Sequence, residues 1–253
     1  MNAIIIAAGS GKRISKEVKN IPKSMVKING KSIIEYQLKV LKQAGIDKIY
    51  VITGPYSDKF NLDDVKYVKD QNYANHDILG SLMEAKKYLK NDILVLYSDI
   101  IFDSKIIQQI LCSKKNISIA IDMNWEKMYE GRTDHHMSEA ENIQLDKMNK
   151  IVEIRKNIQN KNKRVGEFLG IIKFSLNGAE LFVKKYEELI KIHNGTFQQA
   201  PSISKAYITD MIQELINSKI SIEPIFVSGK WCEIDTMQDL KNAEKIFLFN
   251  HIL

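Results

Sequence analysis

Cysteine is scarce in this chain, which has only two among its 253 residues, Cys112 and Cys232. Two isolated cysteines are too few for a disulfide framework or a cysteine-based zinc site, so we expect both thiols to be reduced and structural. Long apolar runs are also missing, because the longest stretches, such as 3–8 and 93–97, fall far short of the roughly 18 residues that a bilayer-spanning helix needs. Together with an N-terminus that has no signal-peptide pattern, these absences predict a cytoplasmic protein with no membrane insertion.

Positive charge exceeds negative charge by six, with 37 Lys and Arg against 31 Asp and Glu. Such an excess fits a nucleic-acid partner, a small anionic substrate or merely a lysine-rich proteome. The basic residues are dispersed, however, and form neither an arginine-rich arm nor a basic repeat interleaved with aromatic residues. We therefore expect no nucleic-acid partner.

Short β-branched runs alternate with helical patterns in the first half of the chain, and the strand-like runs lie at 3–8, 48–53, 93–98 and 117–121. This alternation predicts an α/β fold with a mostly parallel sheet covered by helices. Neither a repeat nor a linker divides the chain, so we expect one domain. The polar stretch at 123–142 breaks the alternation and is too long for an ordinary connection, which predicts a functional lid or a mobile flap.

A glycine-rich segment, AAGSGKR, follows the first predicted strand and ends at Arg13. A glycine-rich turn at the carboxyl end of a strand exposes backbone N–H groups that can surround phosphate oxygens. The dinucleotide-binding pattern fails because Ile14 stands where its third glycine belongs. The P-loop pattern fails because Ile6 replaces its first glycine and Arg13 replaces its Ser or Thr. Lys12, Arg13 and the later Lys23 favour a dense anion such as a nucleoside triphosphate.

The segment AAGSGKR and the following PKSMVKINGKSIIEYQL, which begins at Pro22, together resemble the signature of the nucleotidyltransferase family that activates phosphorylated small molecules. Spacing, composition and position after the first strand all agree with that signature. Further segments resemble, in the same order, the branch of bacterial choline-phosphate and phosphonate cytidylyltransferases. They are DILGSLMEA at 77–85, YSDI at 97–100, GEFLGIIKFS at 166–175 and WCEIDTMQDLKNAEKIF at 231–247. The resemblance covers roughly the whole chain.

This resemblance implies a single Rossmann-like nucleotidyltransferase domain with a mostly parallel mixed sheet, in which residues 1–122 form the nucleotide-binding half and 123–253 the acceptor-binding half. It also implies a CTP-dependent cytidylyltransferase that joins CMP to a small phosphorylated or phosphonate acceptor, releases pyrophosphate and serves the decoration of surface polysaccharide or lipid. Mg²⁺ is the implied cofactor, and CTP and the acceptor are the implied partners. Phosphocholine, an aminoalkylphosphonate and an amino-acid phosphate such as glutamine phosphate all remain open as acceptors. The sequence does not indicate an oligomeric state.

Residue roles follow from the same resemblance, position by position. Catalytic roles fall on Arg13 and Lys23. The nucleotide-binding residues are Ala8, Gly9, Ser10, Gly11, Lys12, Arg13, Lys23, Asp77, Gly80 and Ser81. The metal ligands are Asp99, which ends a predicted buried strand, and Asp235. A plain helix start explains Asp77 to Ser81 nearly as well, and a helix N-cap is the alternative for Asp235 unless Thr236 fills that position.

The acceptor site is predicted from the chemistry of a cationic acceptor, because a quaternary ammonium such as choline is held by an aromatic cage aided by carboxylates. The residues assigned to it are Glu167, Asp210, Trp231 and Glu233, with Trp125, Tyr129 and Tyr207 as further aromatic candidates. Arg132 and Lys147 could instead hold the phosphate or an acceptor carboxylate. Glu233 lies two residues before Asp235, so on an extended chain the two side chains share a face, where Glu233 would assist the metal or bind the acceptor.

Two alternative functions remain. One is a sugar-1-phosphate nucleotidyltransferase of the same family, which YSDI and the short chain disfavour by resemblance. The other is a catalytically silent subunit that binds nucleotide in a regulatory role. Such a subunit has no chemical reason to retain Arg13, Lys23, Asp99 and Asp235 together.

Histidine predicts no further site. His135 and His136 are adjacent in the polar stretch and invite a zinc interpretation, but no third ligand stands at a suitable spacing. The remaining histidines support no catalytic triad; they are His76, His193 and His251.

Overall fold

The structure is a computed structural model that describes residues 1–9, 14, 21–159 and 164–248. The strands in these ranges are β1 (Asn2–Ala7), β2 (Lys27–Ile28), β3 (Lys31–Ser32), β4 (Lys48–Thr53), β5 (Val65–Lys69), β6 (Ile93–Tyr97), β7 (Ile100–Phe102), β8 (Ile117–Asp122), β9 (Glu141–Leu145), β10 (Ile151–Lys156), β11 (Arg164–Phe174), β12 (Glu223–Phe226) and β13 (Trp231–Glu233). The α-helices are α1 (Ile33–Gln43), α2 (Ile78–Glu84), α3 (Ser104–Leu111), α4 (Leu176–Ile192), α5 (Ile208–Asn217) and α6 (Met237–Ile246). None of the helices in the described ranges is both long enough and apolar enough to span a bilayer.

A mixed sheet forms the centre of the molecule, with nine strands in the described part of the chain. Seven of them follow the order β10-β9-β11-β6-β1-β4-β5, and β8 pairs with β11 and β12. β1, β4, β5 and β6 pair in parallel, as the alternation in the first half predicts. The second half is organised around β11, which runs antiparallel to β6, β8 and β9. The predicted α/β domain, with helices flanking a mixed sheet, is therefore confirmed.

β1 shows how the sheet separates two apolar cores. Its residues are buried from Ala3 onward, and successive side chains of a strand point to opposite faces. Ile4 and Ile6 pack with apolar residues of α2, α4 and α5. Ile5 packs on the other face with residues of α1 and α3. Because helices cover both faces, the strand is continuously apolar rather than alternating.

Two short strands, β7 and β13, are absent from the sequence prediction. A run of three residues carries too little periodicity to separate a strand from a loop. The two strands pair antiparallel, with Trp231 opposite Phe102 and Glu233 opposite Ile100. This pairing brings the chain near residue 235 to the carboxyl end of β6.

The polar stretch at 123–142 is folded against α6. Trp125 and Tyr129 are buried side by side, with their ring centroids 5.5 Å apart. Arg132 donates from Nε to Oδ1 of Asp239 at 2.6 Å, and both side chains are almost fully buried. Polar residues of this stretch therefore make contacts inside the molecule, and its role as a lid or flap stays a prediction.

The packing of α4 against the sheet can be tested by a substitution at Phe182. Its ring is fully buried and meets Phe174 edge to face, with centroids 5.1 Å apart. Phe182→Ala leaves a cavity beneath the sheet, so we expect the free energy of unfolding in urea to fall by about 3–5 kcal/mol. Ile192→Ala, in the same helix but at a residue that is 75% exposed, is the matched control and should change it by less than about 0.5 kcal/mol. Equal losses would contradict this packing.

Candidate active site

Asp99 lies in the turn between β6 and β7, at the carboxyl end of the parallel strands. The buried side chain of Gln37 in α1 holds this turn, because its Nε2 donates to the backbone carbonyls of Tyr97 and Ile100 at 2.8 Å each. The Asp99 side chain is 27% exposed. Its Oδ1 is buried and has no hydrogen-bond partner within the described part of the chain. The carboxylate is thus held at the sheet edge with one oxygen unsatisfied.

Asp235 reaches the same edge through backbone pairing. Directly after β13, Ile234 donates its N–H to the carbonyl of Asp99 at 2.9 Å. Thr236 is the N-cap of α6, where its hydroxyl accepts from the N–H of Asp239 and the Asp239 carboxylate accepts from the N–H of Thr236. Thr236 therefore fills the N-cap position that was the alternative role for Asp235. The Asp235 side chain is 5% exposed and faces the site.

Lys23 joins the two carboxylates. It lies in a short 3₁₀ turn, Lys23–Met25, and comes from a segment 76 residues from Asp99 and 212 residues from Asp235. Its Nζ donates to Oδ2 of Asp99 at 2.8 Å and also to Oδ1 of Asp235. Burial disfavours the charged ammonium, but the two carboxylates outweigh that effect and raise the pKa of Lys23 above its ordinary value. An ammonium between two carboxylates is the centre of the candidate site.

Side chains of the polar stretch at 123–142 contact Asp235 and its neighbour Glu233. His135 places Nδ1 at 2.9 Å from Oδ2 of Asp235, and its imidazole is 4% exposed. Arg132 lies over the ring of Tyr129, 4.7 Å from its centroid, and approaches Oε2 of Glu233 at 3.7 Å. The sequence does not predict the contacts with Glu233 and Asp235, because these partners come from the far end of the chain and no local spacing signals them.

Two cavities adjoin this group of charged residues, and the larger cavity, of about 630 Å³, opens beside Lys23 and Asp99. A volume of this order is typical of sites for small ligands. Of the predicted nucleotide-binding residues that the structure describes, Ala8, Gly9, Lys23, Asp77 and Ser81 line it. Ser10, Gly11, Lys12 and Arg13 lie outside the described residues, and their roles stay predictions.

One wall of the larger cavity depends on Asp70, which the sequence prediction missed. Asp70 is fully buried, accepts from the hydroxyl of Ser81 at 2.7 Å and lies 2.8 Å from Nε2 of His76. Gly80 lies directly against this histidine, since a Cβ at Gly80 would come within 2.4 Å of the His76 ring. Gly80 therefore leaves room for His76, and Ser81 contacts the same carboxylate as His76; only the spatial neighbours reveal these roles.

A second, smaller cavity of about 120 Å³ adjoins the larger one, and Tyr97, Asp99 and Tyr207 line both. Its carboxylates are Asp99, Glu139, Glu141, Glu167, Glu233 and Asp235, and its aromatic residues are Tyr97, Phe168, Tyr207 and Trp231. The structure thus brings together three of the four residues assigned to the acceptor, Glu167, Trp231 and Glu233. The basic groups on this lining are His135 and Lys156.

The fourth assigned residue, Asp210, lies outside the smaller cavity. Its carboxylate accepts from the backbone N–H groups of Tyr207 at 2.8 Å and Gln199 at 3.0 Å, which caps the start of α5. It lines a neighbouring cavity instead. Trp125 is buried beneath the site rather than on its lining, and Lys147 is exposed in the turn between β9 and β10. An acceptor role for these residues stays a prediction.

Three carboxyl groups of the smaller cavity, those of Glu141, Glu167 and Glu233, have raised pKa values. Burial raises the pKa of Glu167 to about 8, although its Oε1 accepts from the hydroxyl of Tyr129 at 2.7 Å. Burial likewise raises the pKa of Glu141 to about 7. Burial and the negative charge of Asp235 raise the pKa of Glu233 well above its ordinary value. Oε2 of Glu167 is buried with no hydrogen-bond partner among the described residues, so the cavity offers carboxylate oxygens to a cation or a donor.

Comparison with known proteins gives these features a context. A family model for the MobA-like NTP transferase domain matches residues 3–130. The CTP:phosphoglutamine cytidylyltransferase of Campylobacter jejuni is 28% identical over 95% of this chain and 98% of that enzyme. The choline-phosphate cytidylyltransferase of Streptococcus pneumoniae is 37% identical over a stretch that covers 38% of this chain and 43% of that enzyme.

Comparison with a solved structure shows that the fold is similar over almost the whole chain. The CTP:phosphocholine cytidylyltransferase from Streptococcus pneumoniae matches with a TM-score of 0.69 and 22% identity, over 97% of this chain and 98% of that chain. The family match itself spans half of the chain and includes Lys23, Asp70, Ser81 and Asp99. The chain belongs to the family of MobA-like NTP transferase domains and is a nucleotidyltransferase.

Proposed function

We propose that this protein is a CTP-dependent cytidylyltransferase that joins CMP to a small phosphorylated or phosphonate acceptor and releases pyrophosphate. One observation carries the proposal: two cavities meet at Asp99, where the ammonium of Lys23 links Asp99 to Asp235. The larger cavity would bind CTP, and most of its lining residues come from the half at 1–122. The smaller cavity would bind the acceptor, and most of its lining residues come from the half at 123–253. The cytidylyltransferase relatives support CTP as the nucleotide.

The reaction needs positioning more than proton transfer. A phosphomonoester with a second pKa of about 6 is largely dianionic at neutral pH, so its oxygen can attack the α-phosphorus of CTP without a general base. The new P–O bond forms as the bond to the β-phosphate breaks, and pyrophosphate leaves with the electron pair. Lys23 lines the larger cavity and pairs with Asp99, which lines both cavities, so its ammonium would offset the charge of the two approaching anions. Arg13 would act with the backbone of the glycine-rich segment on the triphosphate.

Asp99 and Asp235 fit a Mg²⁺ ion. Their carboxylate oxygens are the hard donors that Mg²⁺ prefers, and Oδ1 of Asp99 is buried with no partner among the described residues. Bound there, the ion would neutralise phosphate oxygens as negative charge develops on them. Lys23 already compensates the same two carboxylates, so the ion and the ammonium would compete for them.

The smaller cavity favours an acceptor with a positively charged nitrogen. Six carboxylates line it against two basic groups, His135 and Lys156. Tyr207 and Trp231 provide aromatic surface beside those carboxylates, and a quaternary or primary ammonium is attracted to the face of an aromatic ring. Phosphocholine, an aminoalkylphosphonate and glutamine phosphate each carry such a nitrogen, whereas a sugar 1-phosphate does not. Use of the product in surface decoration, and a cytoplasmic location, stay predictions.

Pyrophosphate release tests the proposed function. We would cross CTP, UTP, dTTP, GTP and ATP with phosphocholine, 2-aminoethylphosphonate, glutamine phosphate, glycerol phosphate and glucose 1-phosphate in the presence of Mg²⁺. We expect release with CTP and one acceptor that carries a cationic nitrogen. Release with glucose 1-phosphate would instead indicate a sugar-1-phosphate nucleotidyltransferase. Nucleotide binding without release from any pair would indicate a regulatory subunit.

The substitution Asp235→Asn tests whether Asp99 and Asp235 bind Mg²⁺ together. Loss of one anionic ligand removes several kcal/mol of charge stabilisation, so we expect kcat at saturating Mg²⁺ to fall at least about 100-fold. Asp64→Asn is the matched control, because Asp64 is a surface carboxylate paired with Lys42 and its side chain is 74% exposed. Its kcat should equal that of the wild type. A fall of less than about three-fold in Asp235→Asn would contradict the metal role.

The raised pKa of Glu167 predicts how acceptor affinity depends on pH. With its pKa at about 8, the carboxyl is mostly protonated at pH 7 and mostly ionised at pH 9, and only the ionised form attracts a cation. The KM of phosphocholine, whose quaternary nitrogen stays cationic at every pH, should therefore fall up to about ten-fold across that window, in which the acceptor phosphate is already dianionic. Glu167→Gln cannot ionise at this position, so its KM should be higher and should change by no more than about two-fold, the change that Glu141 with its pKa of about 7 would still cause. An unchanged slope in Glu167→Gln would assign the effect to another group.

A further inference from the structure

We propose that His135 and Glu233 form a second cation site, which takes a divalent transition metal such as Zn²⁺, Mn²⁺ or Co²⁺ and borders the smaller cavity. Ligand atoms of His135, Glu233 and Asp235 lie within 4.8 Å of one another. The site is separate in its chemistry from the oxygen pair of Asp99 and Asp235, because it offers an imidazole nitrogen.

Hydrogen bonding decides which nitrogen of His135 is available. Nδ1 lies 2.9 Å from Oδ2 of Asp235, and an ionised carboxylate only accepts, so Nδ1 carries the proton. In the neutral imidazole, Nε2 then has the lone pair that a metal ion binds. It is buried, and no hydrogen-bond partner for it occurs in the described ranges. A metal-bound histidine usually shows this arrangement, in which its other nitrogen donates to a carboxylate that orients the ring.

Glu233 provides the second ligand atom. Its Oε2 lies 3.9 Å from Nε2 of His135, a separation that is too long for a hydrogen bond between the two atoms. Ligands bound to one ion at about 2.0–2.2 Å are separated by roughly 3–4 Å, which matches this gap. Arg132 lies 3.7 Å from the same oxygen, but its charge is balanced by Asp239, which accepts from its Nε at 2.6 Å.

The ligand types select the class of metal. Imidazole nitrogen suits zinc and other transition metals, whereas Mg²⁺ prefers oxygen. The remaining coordination positions would face the smaller cavity, whose lining includes both residues. An oxygen atom of the acceptor or water could complete the coordination. The spacing of the two adjacent histidines could not predict this site, because the partner ligand comes from β13.

Cobalt binding tests the site without turnover, so its failure would leave the proposed cytidylyltransferase activity untouched. The full chain, stripped of metal with a chelator, would be titrated with Co²⁺ in a large excess of Mg²⁺ while the visible ligand-field bands are recorded. We expect one Co²⁺ per chain that Mg²⁺ does not displace. His135→Ala should lose the bands and weaken Co²⁺ binding at least ten-fold.

His136→Ala is the matched control, because its imidazole is exposed and contacts Ser138 rather than the site. It should bind Co²⁺ as the wild type does. Glu233→Gln keeps the side-chain shape and guards against misfolding of His135→Ala, and it should also lose the bands. Displacement by Mg²⁺, or unchanged binding in both His135→Ala and Glu233→Gln, would overturn the proposal. The proposal would also be overturned if the wild type bound no Co²⁺ and His135→Ala changed only the KM of the acceptor. That result would indicate that the acceptor nitrogen, rather than a metal ion, binds between His135 and Glu233.

Discussion

The site depends on holding two carboxylates of like charge close together in a largely buried place. Asp99 and Asp235 repel each other, and burying them side by side would be costly without a compensating charge. The ammonium of Lys23 compensates both, and it comes from a third segment of the chain. The interaction is stronger than it would be in water, because the local dielectric is lower. Lys23 therefore holds the two carboxylates together, in addition to the catalytic role proposed for it.

A frame of backbone hydrogen bonds keeps this group in place. Gln37 ties both sides of the turn that carries Asp99, and the pairing of β7 with β13 delivers Asp235 to that turn. Phosphoryl transfer is governed by positioning and electrostatics rather than by difficult covalent chemistry on the protein. The buried hydrogen bonds of Gln37 therefore contribute to the site by fixing the position of Asp99.

The acidic character of the smaller cavity is moderated by burial. Glu141 and Glu167 have raised pKa values, to about 7 and about 8, so near neutral pH they are partly protonated and repel each other less. A cation that enters the cavity would favour their ionised forms. The cavity thus carries less negative charge when empty than it would around a bound cation.

The sequence by itself determined the α/β class and the family, because strand periodicity and the contiguous motif around Lys23 are local signals. It also singled out Asp99 and Asp235, which the structure brings to one ammonium. Only the tertiary structure decided which other groups join them: Asp210 caps a helix, whereas Glu141 and His135 line the cavity. These neighbours depend on the pairing of β7 with β13 and on the packing of the polar stretch against α6. Contacts between segments so far apart in the chain leave no spacing that a linear pattern can record.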